Sequence, residues 1–207
     1  MKGAMIVFAV LSLGWNFQLG VGFDPGVTYR AAQPKDLKPI VDLLVEAFES
    51  HLKWYEFPEK DYRKSRYLKA ISKRMIMMEK TGTHNLIVGI AGDGKVAGFV
   101  ESGMLPPPRK NNPEELATAP CQIKEEVDDV PYLANLCVLK SCKRQGIGRR
   151  LVELTSDWAN ENNHEVIFAA VDEENAEARS LYESMGFVRV DFGEGLSRRV
   201  FYSKSLV

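Results

Sequence analysis

Cysteine and histidine are scarce in this 207-residue chain, with three of each. Cys121, Cys137 and Cys142 are odd in number and irregularly spaced, which excludes a disulfide framework. His51, His84 and His164 are scattered, and neither H-E-x-x-H nor C-x-x-C occurs, so no structural zinc or other metal site is expected. A charge excess is missing too: 27 Lys+Arg stand against 28 Asp+Glu, a net charge of -1. That balance gives no global field for nucleic acid. Internal repeats and low-complexity tracts are absent. What remains is an ordinary globular composition, 45% hydrophobic and 27% charged. A chain of this length buries a sizeable core within one α/β domain.

The N-terminus stands apart. Gly3 to Phe23 carry no charge, with Lys2 before them and Asp24 after. The run AMIVFAVLSLGWNF suits the apolar stretch of a targeting signal. Gly20 and Gly22 are small residues at the positions that cleavage before Phe23 requires. A single bilayer span of about 20 residues also fits the length, although Asn16, Gln18 and four glycines weigh against it. A segment packed on the domain is the third option. Residues 1–23 are therefore read as a leader, and 24–207 as the domain. A signal implies the secretory route or a complex plastid; without one the chain is cytoplasmic.

Along the domain, Val27 to Gln33 read as a strand. Asp36 is a candidate N-cap for a helix whose apolar stripe is Leu37, Val41, Leu44 and Phe48. A loop holding Trp54, Phe57 and Pro58 follows, then a helix marked by Tyr67, Ile71, Met75 and Met78. Strands over 84–93 and 95–105 flank Asp93-Gly94, a tight-hairpin signal. Residues 106–130 form an acidic, proline-rich insertion. Strand 131–138, a helix carrying Ile147, Leu151, Leu154 and Trp158, and strand 164–171 come next. A fourth helix carries Ala178, Leu181 and Met185 and ends at Gly186. Strands 187–192 and 199–203 complete one mixed domain of about seven strands and four helices.

The chemistry concentrates in LCVLKSCKRQGIGRR, Leu136 to Arg150. A strand ends, a basic turn follows, and Gly146-Ile147-Gly148 opens a helix. Glycines let backbone approach a ligand closely. Unpaired N–H groups and the helix dipole then make an anion site suited to pyrophosphate. Lys143, Arg144, Arg149 and Arg150 add positive charge. The Walker pattern is absent, and Leu151 occupies the third glycine position of a dinucleotide fingerprint. Downstream stands N-A-E-A-R-S-L-Y, Asn175 to Tyr182, followed by Met185-Gly186-Phe187.

These two elements together resemble the GNAT superfamily of acetyl-CoA-dependent N-acetyltransferases, most nearly its protein N-terminal and plastid-type dual lysine and N-terminal members. The resemblance implies acetyl transfer from acetyl-CoA to a primary amine, on a protein N-terminus or a lysine. A small-molecule amine acceptor and a non-catalytic acyl-CoA-binding domain are the alternatives. No metal and no nucleic-acid partner are implied, and a membrane only if the leader stays as an anchor. The implied cofactor contacts are Leu136, Val138, Lys143, Arg144, Gln145, Gly146, Ile147, Gly148, Arg149 and Asn175. The resemblance also implies a backbone N–H, at Leu136 or a neighbour, that polarises the thioester carbonyl. Tyr182 matches the general acid for the departing thiolate. Lys143 departs from the usual Arg or Gln. Ala170 stands where some members carry a catalytic histidine, so that base is missing. Tyr132, acting through a water, is the implied base, with Glu101 as the carboxylate alternative.

Overall fold

The structure, a computed structural model, describes residues 26–49, 57–105, 129–190 and 199–207. The leader, Trp54, Cys121 and nearly all of the 106–130 insertion lie outside these residues. Seven strands are β1 (Thr28–Ala31), β2 (His84–Ile90), β3 (Val96–Leu105), β4 (Val130–Val138), β5 (Val166–Asp172), β6 (Val188–Val190) and β7 (Arg199–Ser205). Four helices are α1 (Leu37–Phe48), α2 (Phe57–Thr81), α3 (Ile147–Glu161) and α4 (Ala176–Ser184). The strands form one sheet in the order β1-β2-β3-β4-β5-β7-β6. Every neighbouring pair is antiparallel except β4 and β5, which run parallel with α3 in the crossover between them. The expected mixed α/β class is the class observed. Among the described residues, no helix is long and apolar enough to cross a membrane.

Alternation along the strands builds two cores. Leu86 and Val88 join Ile40, Leu44, Ile71, Met75 and Phe99 under α1 and α2. Ile87 points the other way, joining Leu133, Ile147, Leu151, Ala169, Tyr182 and Tyr202 under α3 and α4. Gly98 sets how closely α3 lies on the sheet. A Cβ there would stand 2.8 Å from Ile147 Cγ2 and 2.9 Å from Leu151 Cδ1.

Several local expectations are corrected. Asp36 precedes α1 but does not cap it with its side chain. Its carboxylate is held by both Arg30 guanidinium nitrogens, at 2.6 and 2.9 Å, and by the Gln33 N–H at 2.7 Å. The α1 stripe is Ile40, Val41, Leu43, Leu44 and Val45, while Phe48 is 40% exposed. Phe57 and Pro58 belong to α2, not to a loop. The first turns of α2 lack apolar periodicity and are tied by ion pairs. Arg63 meets Glu59 and Glu49, and Lys64 meets Asp42 of α1. The β2–β3 connection is a five-residue loop, closed by Ala91 N–H to the Lys95 carbonyl at 2.9 Å. It is not a two-residue turn. α4 ends as read: Phe187 N–H reaches the Tyr182 carbonyl and Gly186 N–H the Glu183 carbonyl.

Candidate active site

β4 is not a regular strand. Phe99 pairs with Cys137 and Glu101 with Ala134, so Asn135 and Leu136 stand opposite the single residue Val100. This is a β-bulge, an extra residue that bends its strand. Asn135 takes φ 52, a left-handed conformation that Asn tolerates better than most residues. Pairing of β4 with β5 comprises Tyr132↔Phe168 and Leu133↔Ala169, stopping just before the bulge. Beyond Leu133 the two parallel strands part. The sheet therefore carries a wedge, with Leu136 and Val138 on its β4 side.

The basic turn closes the wide end of that wedge. Leu139 N–H bonds the Ala97 carbonyl at 2.8 Å, and a short 3-10 turn, Lys140–Cys142, follows. Arg144 (φ 65) and Gly146 (φ 86) are both left-handed, so the backbone doubles back before α3. Arg150 N–H to the Gly146 carbonyl at 3.0 Å opens the helix ladder. The N–H groups of Ile147, Gly148 and Arg149 precede that bond and point out of the helix end. A Cβ on Gly148 would lie 3.5 Å from Leu181 and 3.6 Å from Val138. Any longer side chain there would fill the space between α3, α4 and the wedge. These features fit a pyrophosphate with a pantetheine arm running along β4.

The side chains of the turn contribute less than their charges suggest. Lys143 Nζ pairs with Glu177 of α4 at 2.9 Å, and Arg149 bonds Ser184 Oγ at 2.9 Å. Arg150 pairs with Glu153 at 3.0 Å, and Gln145 donates to the Ser141 carbonyl at 3.3 Å. Pairs this exposed are weak and exchange readily. Ile147 buries its side chain in the core and offers only its N–H. Asn175 caps α4, its Oδ1 accepting the Ala178 N–H at 3.0 Å.

Tyr182 lies under the wedge, 4% exposed, with ring centroids 5.3 Å from Phe187 and 6.1 Å from Tyr202. Burial pushes its phenol well above the ordinary value. Tyr132 stacks on Phe168 at 5.5 Å, and burial raises its phenol likewise. Leu133 shares a core with Tyr182, whereas the adjacent Tyr132 packs with Phe168, Val130 and Phe201. The two tyrosines thus flank the wedge from opposite faces of the sheet. Glu101 shares the face of its cross-strand neighbour Ala134 and is buried. Arg74 of α2 reaches it at 3.0 Å, and the Asn135 side chain bonds it as well. Burial nevertheless leaves its carboxyl above the usual range, with Arg74 and Asn135 acting the other way.

The only sequence signal for the bulge and for Asn135 and Arg74 around it is an Asn within an otherwise apolar strand, PYLANLCV. Among the described residues no cluster of His, Cys, Asp and Glu is placed to hold a metal.

Comparison with known proteins agrees with this geometry. The Acetyltransferase (GNAT) family profile matches residues 39–187. A curated relative, GCN5-related N-acetyltransferase 6, chloroplastic, of Arabidopsis thaliana, is 35% identical over 75 residues. That match spans 36% of this chain and 26% of the relative's length. The PaiA N-acetyltransferase of Thermoplasma acidophilum, solved with coenzyme A, superposes with a TM-score of 0.66 at 14% identity. The alignment covers 86% of this chain and 98% of that one. The ribosomal-protein-S18-alanine N-acetyltransferase of Escherichia coli gives 0.56 at 16% identity, covering 87% and 94%. The fold, the Gly-x-Gly turn opening α3 and the family profile across well over half the chain lead to one conclusion. The chain belongs to the acetyltransferase (GNAT) family, whose profile spans residues 39–187.

Proposed function

We propose that this protein transfers acetyl from acetyl-CoA to a protein amine, an N-terminal α-amine or a lysine ε-amine. The reading rests on the wedge between β4 and β5, with the basic turn at its wide end and Tyr182 beneath it. The thioester lies in the wedge, and the neutral amine enters from the Tyr132 face. The amine nitrogen attacks the carbonyl carbon while a backbone N–H at the bulge, Leu136 or a neighbour, stabilises charge on the oxygen. The C–S bond breaks, and Tyr182 gives its proton to the departing thiolate. A water beside Tyr132 takes the proton that the amine loses. Burial keeps Tyr132 a neutral phenol, so it orients that water rather than acting as a phenolate. A structural neighbour named for N-acetylation of a ribosomal protein supports a protein acceptor. The relative named chloroplastic, together with the uncharged run over 3–23, supports a plastid as the compartment.

Mixing the purified protein with acetyl-CoA and a panel of amines tests this. The panel holds peptides with free N-termini, peptides with lysine and blocked N-termini, and polyamines. Thiol release and a mass gain of one acetyl group are expected with peptides. No release across the panel would sink the reading. Release with polyamines alone would replace the acceptor.

A further inference from the structure

The bulge in β4 has to be held. An extra residue in a strand leaves backbone groups without ladder partners, and a left-handed non-glycine residue adds local strain. Here the bulge is also functional under the proposed reaction, because the strand it bends carries the N–H groups beside the thioester. Asn135 sits on the bulge at φ 52. Its side chain bonds Glu101, a carboxylate only 5% exposed on the neighbouring strand. Arg74 approaches both oxygens of that carboxylate, Oε1 at 3.0 Å and Oε2 at 3.1 Å. The arrangement runs from α2 through a buried carboxylate to the bulge. Each group contributes something specific. Asn supplies both tolerance of the left-handed conformation and an amide donor. Glu accepts from two directions at once. Arg supplies the charge without which a buried carboxylate would be costly.

We infer that Glu101 is a positioning residue, clamped by Arg74, that holds Asn135 and the β4 bulge in the shape that presents the wedge backbone to the thioester carbonyl. It is not the base that deprotonates the acceptor. Its carboxylate is only 5% exposed and held by Arg74 at 3.0 Å, so it is enclosed rather than open to an incoming amine. This deepens the acetyltransferase reading and rests on it.

Substitutions at the two ends of the clamp separate the roles. Glu101→Ala removes the clamp and any base together. Glu101→Gln removes the charge but keeps the connection: its oxygen accepts from Arg74, and its amide donates to a flipped Asn135. Asn135→Gly keeps the left-handed backbone free of strain and removes only the amide. Expected for Glu101→Ala and Asn135→Gly is a loss in kcat of about tenfold to 100-fold, as for a misplaced reacting group. KM for acetyl-CoA should stay within about threefold, and Glu101→Gln should recover kcat to within about threefold of the native enzyme. Should Glu101→Ala fail to fold, Asn135→Gly against Glu101→Gln carries the same comparison. A Glu101→Gln enzyme as slow as Glu101→Ala, or Asn135→Gly at native kcat, overturns the inference. Amide hydrogen exchange over 133–138 gives a readout independent of turnover. It should quicken in Glu101→Ala and Asn135→Gly and not in Glu101→Gln; equal exchange in all four proteins overturns the clamp. A native protein that acetylates nothing would sink the proposed reaction and leave the exchange comparison standing.

Discussion

A phenol packed between Phe187 and Tyr202 keeps its proton far beyond neutral pH. That makes Tyr182 a donor at every pH where the enzyme works, since even a free phenol titrates only near about 10. Removing the hydroxyl alone should therefore show its role. Tyr182→Phe keeps the ring and its contacts. It should lower turnover about 100-fold or more while acetyl-CoA affinity by calorimetry stays close to native. Native turnover under conditions where chemistry limits the rate would exclude Tyr182 as the acid. The place of Tyr182 in its helix was legible in the sequence, because Asn175 and Gly186 mark a helix that begins and ends within ten residues of it. Glu101 was visible only as a carboxylate on a strand. Its partners come from α2 and from β4, 27 and 34 positions away in the chain, and no local spacing joins them.

At the scale of elements, the sequence was most informative where local geometry decides the backbone. The turn before α3 carries a glycine where the chain doubles back, and Arg144 and Gly146 are both left-handed there. It was least informative where stability comes from distant pairs. The polar first half of α2 has no apolar stripe to read, and its ion pairs to Asp42 of α1 and to Glu49 join residues far apart in the chain. The same reason moved Asp36 from cap to ion-pair partner. Burial alone would raise its carboxyl, but Arg30 and the Gln33 N–H bring it below the usual range. A group depressed in the folded state adds stability above its unfolded pKa and loses it as pH falls through the folded pKa. The advantage of the native protein over Asp36→Asn should then be about 2 kcal/mol or more at neutral pH and fade in acid, read by urea unfolding at several pH values. An advantage independent of pH would refute the ion-pair account. Gly98 gives a second prediction at this scale. Gly98→Ala forces Ile147 and Leu151 outward. Overpacking of this kind costs about 1–3 kcal/mol. Because Ile147 opens α3, the displacement should also weaken acetyl-CoA binding. Calorimetry showing native affinity in a destabilised variant would mean the turn moves independently of the core.

Among the described residues the sheet divides into two halves, β1–β4 and β5–β7, whose shared register is two residue pairs, Tyr132↔Phe168 and Leu133↔Ala169. α3 spans the join, packing on Ala97 and Val100 of one half and on Ile167 and Ala169 of the other. On the proposed reading a ligand in the wedge would touch both halves, where β4 and β5 have no pairing beyond Leu133. Binding should therefore stabilise the fold as one unit rather than only the turn before α3. For a ligand that binds only the folded state, a concentration of 100 Kd adds about 2.7 kcal/mol. In a domain of this size that corresponds to a rise in Tm of roughly 5–10 °C. Hydrogen exchange should slow on both sides of the wedge, over 134–138 and over 170–172. Gly148→Glu provides the control. Its Cβ position makes ordinary contacts with Leu181 and Val138, so the fold survives, but the longer chain fills the ligand's path. That variant should keep the native Tm without ligand and gain nothing from acetyl-CoA. Protection confined to 139–150 would show that the two halves are not joined by the ligand. An equal rise in Tm for Gly148→Glu would remove the turn from the binding site altogether.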